Sequence, residues 1–263
     1  MSSMAELASG RWPAAADRRF FLGAAIMITL LIVAGFLVQL LLGRSSFGAP
    51  PYVHLHALLF FGWVFLFLTQ VWLATKGSLS LHRRLGWLGL LWAMAMVVVG
   101  ISTTALTVRR GMTPFFFQPG YFLVMNSLSI IAFATLTGAA IAKRRQTDWH
   151  RRLMLCGMAL LTGPAWGRLL PLPLMIPWAG WGPFVAVMLI PLAGMIADKR
   201  RTGHVHPAWL WGIAVIVGAQ LLMELVFRSQ LGAELYQLAT AGSPGAAQAP
   251  RQFPPLPPGF PPA

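Results

Sequence analysis

Seven stretches of this chain stay apolar for about twenty residues, near 20–42, 52–75, 83–107, 121–142, 150–170, 178–197 and 207–227. A bilayer core about 30 Å thick takes roughly 20 apolar residues of helix to cross. No water reaches that region to satisfy backbone N–H and C=O groups, so a run of this length must bond to itself as a helix. The expected fold class is all-α, a polytopic integral membrane helix bundle of seven transmembrane helices over 20–227, after a segment 1–19 and before a tail 228–263. Charged residues make up 10% of the 263, far below the roughly 25% of a soluble domain. The run from Phe20 is longer than a cleavable signal core and lacks an A-x-A site after it, so it reads as a retained first span.

Lysine and arginine set the orientation. Fourteen of the 20 fall on one side of this seven-span arrangement: Arg11, Arg18, Arg19, Lys76, Arg83, Arg84, Lys143, Arg144, Arg145, Arg151, Arg152, Lys199, Arg200 and Arg201. The opposite side holds five, and Arg168 lies within a span. The positive-inside rule then puts the N-terminus in the cytoplasm and the C-terminus outside. The same rule accounts for the net charge of +14, and no basic, aromatic-interleaved soluble segment is present to bind nucleic acid. The single cysteine, Cys156, sits in an apolar run, which excludes an intrachain disulfide and reads as core. The tail, ending PPLPPGFPPA, has too little to bury and is expected to be largely disordered. Pro51, Pro177 and Pro207 suit helix starts, whereas Pro164, Pro183 and Pro191 predict kinks.

The sequence His-Arg-Arg-Leu occurs twice, at His82–Leu85 and His150–Leu153, each time at the mouth of an apolar run. A weaker echo, GHVHPAWL, carries His204 and His206 before the last span. Three histidine layers from three helices of the same direction suggest an internal repeat. Eighteen residues make five helical turns, about 27 Å, and return to the same face. Counting 18 from His82, His150 and His206 reaches Gly100, Arg168 and Glu224, which predicts an Arg168–Glu224 ion pair at matched depth. Gly86, Gly89, Ala93 and Gly100 give the third span a small-residue packing face. His56, Trp63 and Gln70 share one stripe of the second span, and His54 points away from it.

Two polar layers result. The outer one comprises His56, Asn126, Arg168, Gln220 and Glu224, either a pocket for a polar ligand or a clamp between helices. The inner one gathers Gln70, His82, Asp148, His150, Asp198, His204 and His206. Its histidines are candidate ligands: His82 and His150 as axial ligands of a b-type haem, or His82, His150, His204 and His206 around a divalent metal with Asp148 or Asp198 behind them. Against this stands interfacial histidine with no ligand. The pairs Arg83–Arg84 and Arg151–Arg152 oppose the helix macrodipole, so they serve either as topology anchors or as binders of lipid phosphate, most simply from anionic lipids. No nucleophile with a paired base and no phosphate loop points to a hydrolase or an ATPase.

The motifs HRRLGWLG and DWHRRLM, with the H-x-H helix and Gln70 before them and Arg168 after, resemble a family of uncharacterised bacterial predicted multi-pass membrane proteins carrying HRxLG and HRRWMxR. The likeness covers about residues 50–175 and departs at Leu153-Met154 and Leu155-Cys156. It implies the bundle fold and a bacterial inner (cytoplasmic) membrane, and it brings no activity. A fainter resemblance to cytochrome b561-type haem membrane proteins implies histidine-ligated haem. Histidines appear in the outer layer on the second span alone, which leaves a single inner haem.

Overall fold

The computed structural model describes residues 14–45 and 47–256. It is 80% helical, and no strand occurs among the described residues. The helices are α1 (Ala14–Leu41), α2 (Pro51–Lys76), α3 (Leu79–Arg109), α4 (Pro119–Ala142), α5 (Thr147–Leu161), α6 (Gly163–Leu169), α7 (Trp181–Thr202), α8 (Pro207–Arg228) and α9 (Gln230–Thr240). Six of them, α1 to α4, α7 and α8, are long and apolar enough to cross a membrane. The chain is a multi-pass membrane protein by that measure.

The fifth expected span differs. Residues 150–170 fall in two pieces, α5 and the seven-residue α6, divided at Thr162 just before Gly163-Pro164. Proline has no N–H to give and its ring crowds the preceding turn, so a helix stops there. Such a break survives at membrane depth only where protein, not lipid, surrounds it. Thr162 is completely buried, and its hydroxyl donates to Ala159 O at 2.6 Å. Leu155, Cys156, Gly157, Met158 and Ala159 are five consecutive buried residues, so α5 has no lipid-facing side at this level. It is the axis of the bundle, packed by α1, α4, α7 and α8.

Small residues make that packing close. A Cβ on Gly212 of α8 would lie 2.3 Å from Cys156 Sγ, so the lone cysteine fills a glycine notch, as a core residue should. The small face of α3 is also internal, with Gly89, Ala93 and Gly100 buried. Pro51 and Pro207 open α2 and α8. Pro177 instead lies in the connector before α7, and Pro183 sits in the first turn of α7, where it bends nothing.

The tail also departs from expectation. Residues 230–240 form α9, and Tyr236 is 1% exposed against α3 and α4, its hydroxyl donating to Gly245 O at 3.0 Å. Further on, Gly120 N–H donates to Pro250 O, Gln118 donates to Arg251 O, and Arg251 donates to the carbonyls of Arg228 and Ser229. The tail pairs its backbone with the bundle and so needs no core of its own. Its last residues, 257–263, lie outside the described ones, as does Arg11.

Candidate functional site

The two His-Arg-Arg copies have separate fates. In the first, on α3, Arg83 and Arg84 are both exposed. In the second, on α5, both guanidiniums turn to carboxylates of the protein. Arg152 is 5% exposed and meets Asp198 of α7 side-on, with Nε–Oδ2 at 2.9 Å and Nη2–Oδ1 at 3.0 Å. Trp209 of α8 adds an indole N–H to the same carboxylate at 2.8 Å. A Cβ on Gly194, one turn before Asp198, would fall 2.3 Å from the Trp209 ring, so that glycine admits the indole. Arg151 pairs with Asp17 of α1 and with Asp148, and Arg201 stands 4.0 Å from Asp17. Arg152 also reaches Asp148 at 3.3 Å. Arg151 and Arg152 therefore act as struts between α1, α5, α7 and α8 through these carboxylates. Asp198 serves Arg152 and does not stand behind a histidine.

The histidines of the repeat do meet. His82 and His150, 68 residues apart in sequence, lie edge-on with ring centroids 6.4 Å apart and planes at 83°. Nδ1 of His82 lies 3.2 Å from Gln70 O, and Nδ1 of His150 lies 2.8 Å from Ala140 O. A carbonyl only accepts, so each Nδ1 carries the proton, and in a neutral ring the lone pair is left on Nε2. Backbone carbonyls on one nitrogen are what usually orient a ligating imidazole by the other. Next to His82, one turn along α3, a Cβ on Gly86 would meet only Gln70 Nε2, at 3.8 Å. Gln70 Oε1 is buried there without a hydrogen-bond partner. Open space and an orphaned acceptor thus adjoin the pair.

His204 and His206 do not join it. His204 is exposed, with Nδ1 2.9 Å from Thr202 O. His206 caps α8, its Nδ1 accepting from Ala208 N–H at 3.1 Å, with its ring edge-on to Trp149. An acceptor Nδ1 means a neutral ring. Burial first, and the nearby Arg152 charge second, hold its pKa below the ordinary imidazole value. Among the described residues no three His, Cys, Asp or Glu side chains gather as a metal site, so the four-histidine set is not assembled.

The outer layer is dispersed. Glu224 pairs with Arg228 at 2.9 Å and accepts from Trp181 Nε1 at 3.0 Å. Arg168 instead lies 3.9 Å over the Phe36 ring and donates to Pro164 O at 2.9 Å. The break at Thr162 voids the five-turn count from His150, and the expected Arg168–Glu224 pair does not form. His56 stacks on Phe60 at 4.0 Å, Asn126 turns back to Phe122 O, and Gln220 donates to Tyr121 Oη at 3.1 Å. His54 is exposed, at 3.1 Å from Phe47 O.

Asp17 and Trp209 were missed as parts of the inner end. The chain has six acidic residues against 20 basic ones, so any arginine turned inward had few carboxylates to find. That scarcity was the available signal. No family model matches the chain, nor does any curated protein or solved structure.

Proposed function

We propose that this chain is a redox-linked bacterial inner-membrane protein whose metal centre is ligated by Nε2 of His82 and Nε2 of His150. The observation that carries this is the close pair of imidazoles, each fixed by a backbone carbonyl on Nδ1. Ring centroids 6.4 Å apart put both imidazoles within reach of one metal centre, which Nε2 of each would hold. Two protein ligands are too few for a tetrahedral zinc site and complete the set for a b-type haem iron, so haem leads and a lone redox-active ion follows. Either group would supply one-electron chemistry. The residues of this chain would bind it, and Gln70 Oε1 beside Gly86 would accept a hydrogen bond at its edge.

The orientation that goes with this reading crosses the bilayer seven times, with α5 and α6 together as the fifth crossing, the N-terminus cytoplasmic and the C-terminus outside. It sets the histidine pair at the cytoplasmic boundary, where an electron donor or acceptor would dock. The exposed Arg83 and Arg84 beside it would meet anionic lipid headgroups.

The test is the visible spectrum and metal content of the full chain, purified in mild detergent from cells supplied with haem and copper. The expected result is a Soret band or one bound ion per chain, lost in both His82→Ala and His150→Ala with thermal unfolding unchanged. A colourless, metal-free protein, or a signal that survives both substitutions, overturns the reading.

A further inference from the structure

At the opposite end of the bundle from the histidine pair lies a cavity of about 230 Å³ that shares only Glu224 with the outer polar layer. Its walls come from the connector into α4 and that helix's start, the connector into α7 and that helix's first residue, the end of α8, and the tail that straps across them. Tyr121, Trp178, Trp181, Phe227 and Phe253 are among the aromatic residues that line it. One carboxylate, Glu224, stands among them, its side chain 16% exposed. Close packing at Gly180 holds the wall in place, since a Cβ there would fall 2.4 Å from Tyr121 Oη.

Aromatic faces carry negative potential, and several around one carboxylate make a box suited to a weakly hydrated organic cation. The carboxylate retains capacity for a further cation: Oε1 takes only the Trp181 N–H, and Oε2 takes Arg228. Arg228 is a rim group, its side chain 67% exposed, so its hold on Glu224 is a weak, solvent-screened one. It is the built-in competitor for the same negative charge.

We propose that this chamber binds a quaternary or tertiary ammonium group, held by Glu224 and the surrounding rings, with Phe253 of the tail closing one wall. The ligand is either a small free molecule of that class or the headgroup of a choline lipid. The choice of a cation makes an unusual demand: removing the resident cation, Arg228, must tighten binding, whereas removing an ordinary structural ion pair would only loosen the site.

The experiment titrates the full chain in a non-ionic detergent with tetramethylammonium and with choline, reading fluorescence of Trp178 and Trp181. Dimethylbutanol, a neutral isostere of choline, is the control. Saturable responses to both cations and none to the alcohol are expected. Glu224→Gln, which keeps an acceptor for Trp181, should weaken binding at least tenfold, and Arg228→Gln should strengthen it severalfold. The same titration after reconstitution with choline lipid should show competition if the headgroup is the ligand, and undiminished binding of the free cation if it is not. An equal response to the alcohol, no saturable response, or weaker binding in Arg228→Gln overturns the proposal.

Discussion

Replacing Arg152 by methionine keeps an apolar stem of similar reach and removes the guanidinium from beside Asp198. The carboxylate would stay in place at 3% exposure, with the Trp209 N–H at 2.8 Å and the His206 N–H at 3.4 Å as its remaining bonds. Stranding one member of a buried ion pair costs about 3–5 kcal/mol. At about 2–4 °C per kcal/mol for a protein near this size, Arg152→Met should lower the midpoint of thermal unfolding in mild detergent by roughly 6–20 °C. Asp198→Asn should cost less, because Arg152 keeps Asp148 at 3.3 Å, and that side chain is 59% exposed and already hydrated. The double variant leaves no buried charge on either side and should unfold at a higher temperature than Arg152→Met alone, a coupling of about 1–3 kcal/mol. The readout is intrinsic tryptophan fluorescence on heating, with the wild type and Arg83→Met, an exposed arginine of the other repeat copy, as references. A fall of less than about 2 °C for Arg152→Met, or a double variant that loses the sum of the two singles, would refute the assignment of Arg152 as an interior strut.

Trp209→Phe removes one donor to Asp198 and should destabilise by about 1–3 kcal/mol in the same assay. Gly194→Ala, which pushes a methyl into the indole, should cost more than Trp209→Phe, and the reverse order would mean that the glycine notch does not position the ring. Because His206 titrates lower when folded than when unfolded, the unfolded chain takes up its proton first as pH falls. Its contribution to stability is therefore present above the ordinary imidazole pKa and fades on acidification through it. His206→Asn keeps a cap acceptor for Ala208 N–H and should flatten that part of the stability profile between about pH 7 and 5; an unchanged slope would assign it to other groups. Arg251→Ala cuts the bonds that tie the tail to the end of α8, so limited proteolysis should cleave near residue 250 faster than in the wild type. Equal rates would show the strap to be held elsewhere.

The contrast between the two His-Arg-Arg copies explains how much of this protein could be read in advance. Hydropathy located six of the seven expected spans as helices long enough to cross a membrane, because such a helix announces itself by length, and the small face of α3 followed from the same arithmetic. Periodicity also put His82 and His150 at one level, since both stand at the mouths of helices rising from the same end. What periodicity could not assign was the inside of the bundle. An arginine at a span start looks the same whether it stays exposed, as Arg83 and Arg84 do, or meets a carboxylate from another helix, as Arg151 and Arg152 do. That choice rests on α5 being central, and α5 is central because it is surrounded on every side, which its own sequence shows only as an unusual Gly163-Pro164 break. The break in turn undid the one long-range distance drawn from the repeat, between Arg168 and Glu224, while leaving the short-range one, between His82 and His150, intact.

An ideal-helix count holds over the few residues next to a fixed helix mouth and fails across an interruption. The same reasoning separates the two ends of the molecule. At the inner end, acids are scarce and arginines plentiful, so Asp17, Asp148 and Asp198 are all taken up by Arg151 and Arg152. Nδ1 of each imidazole is bound to a backbone carbonyl, which leaves Nε2 as the free nitrogen of a neutral ring. The second copy of the motif therefore divides its work: Arg151 and Arg152 join helices through carboxylates, and His150 turns to Ala140 O and lies near His82 of the first copy.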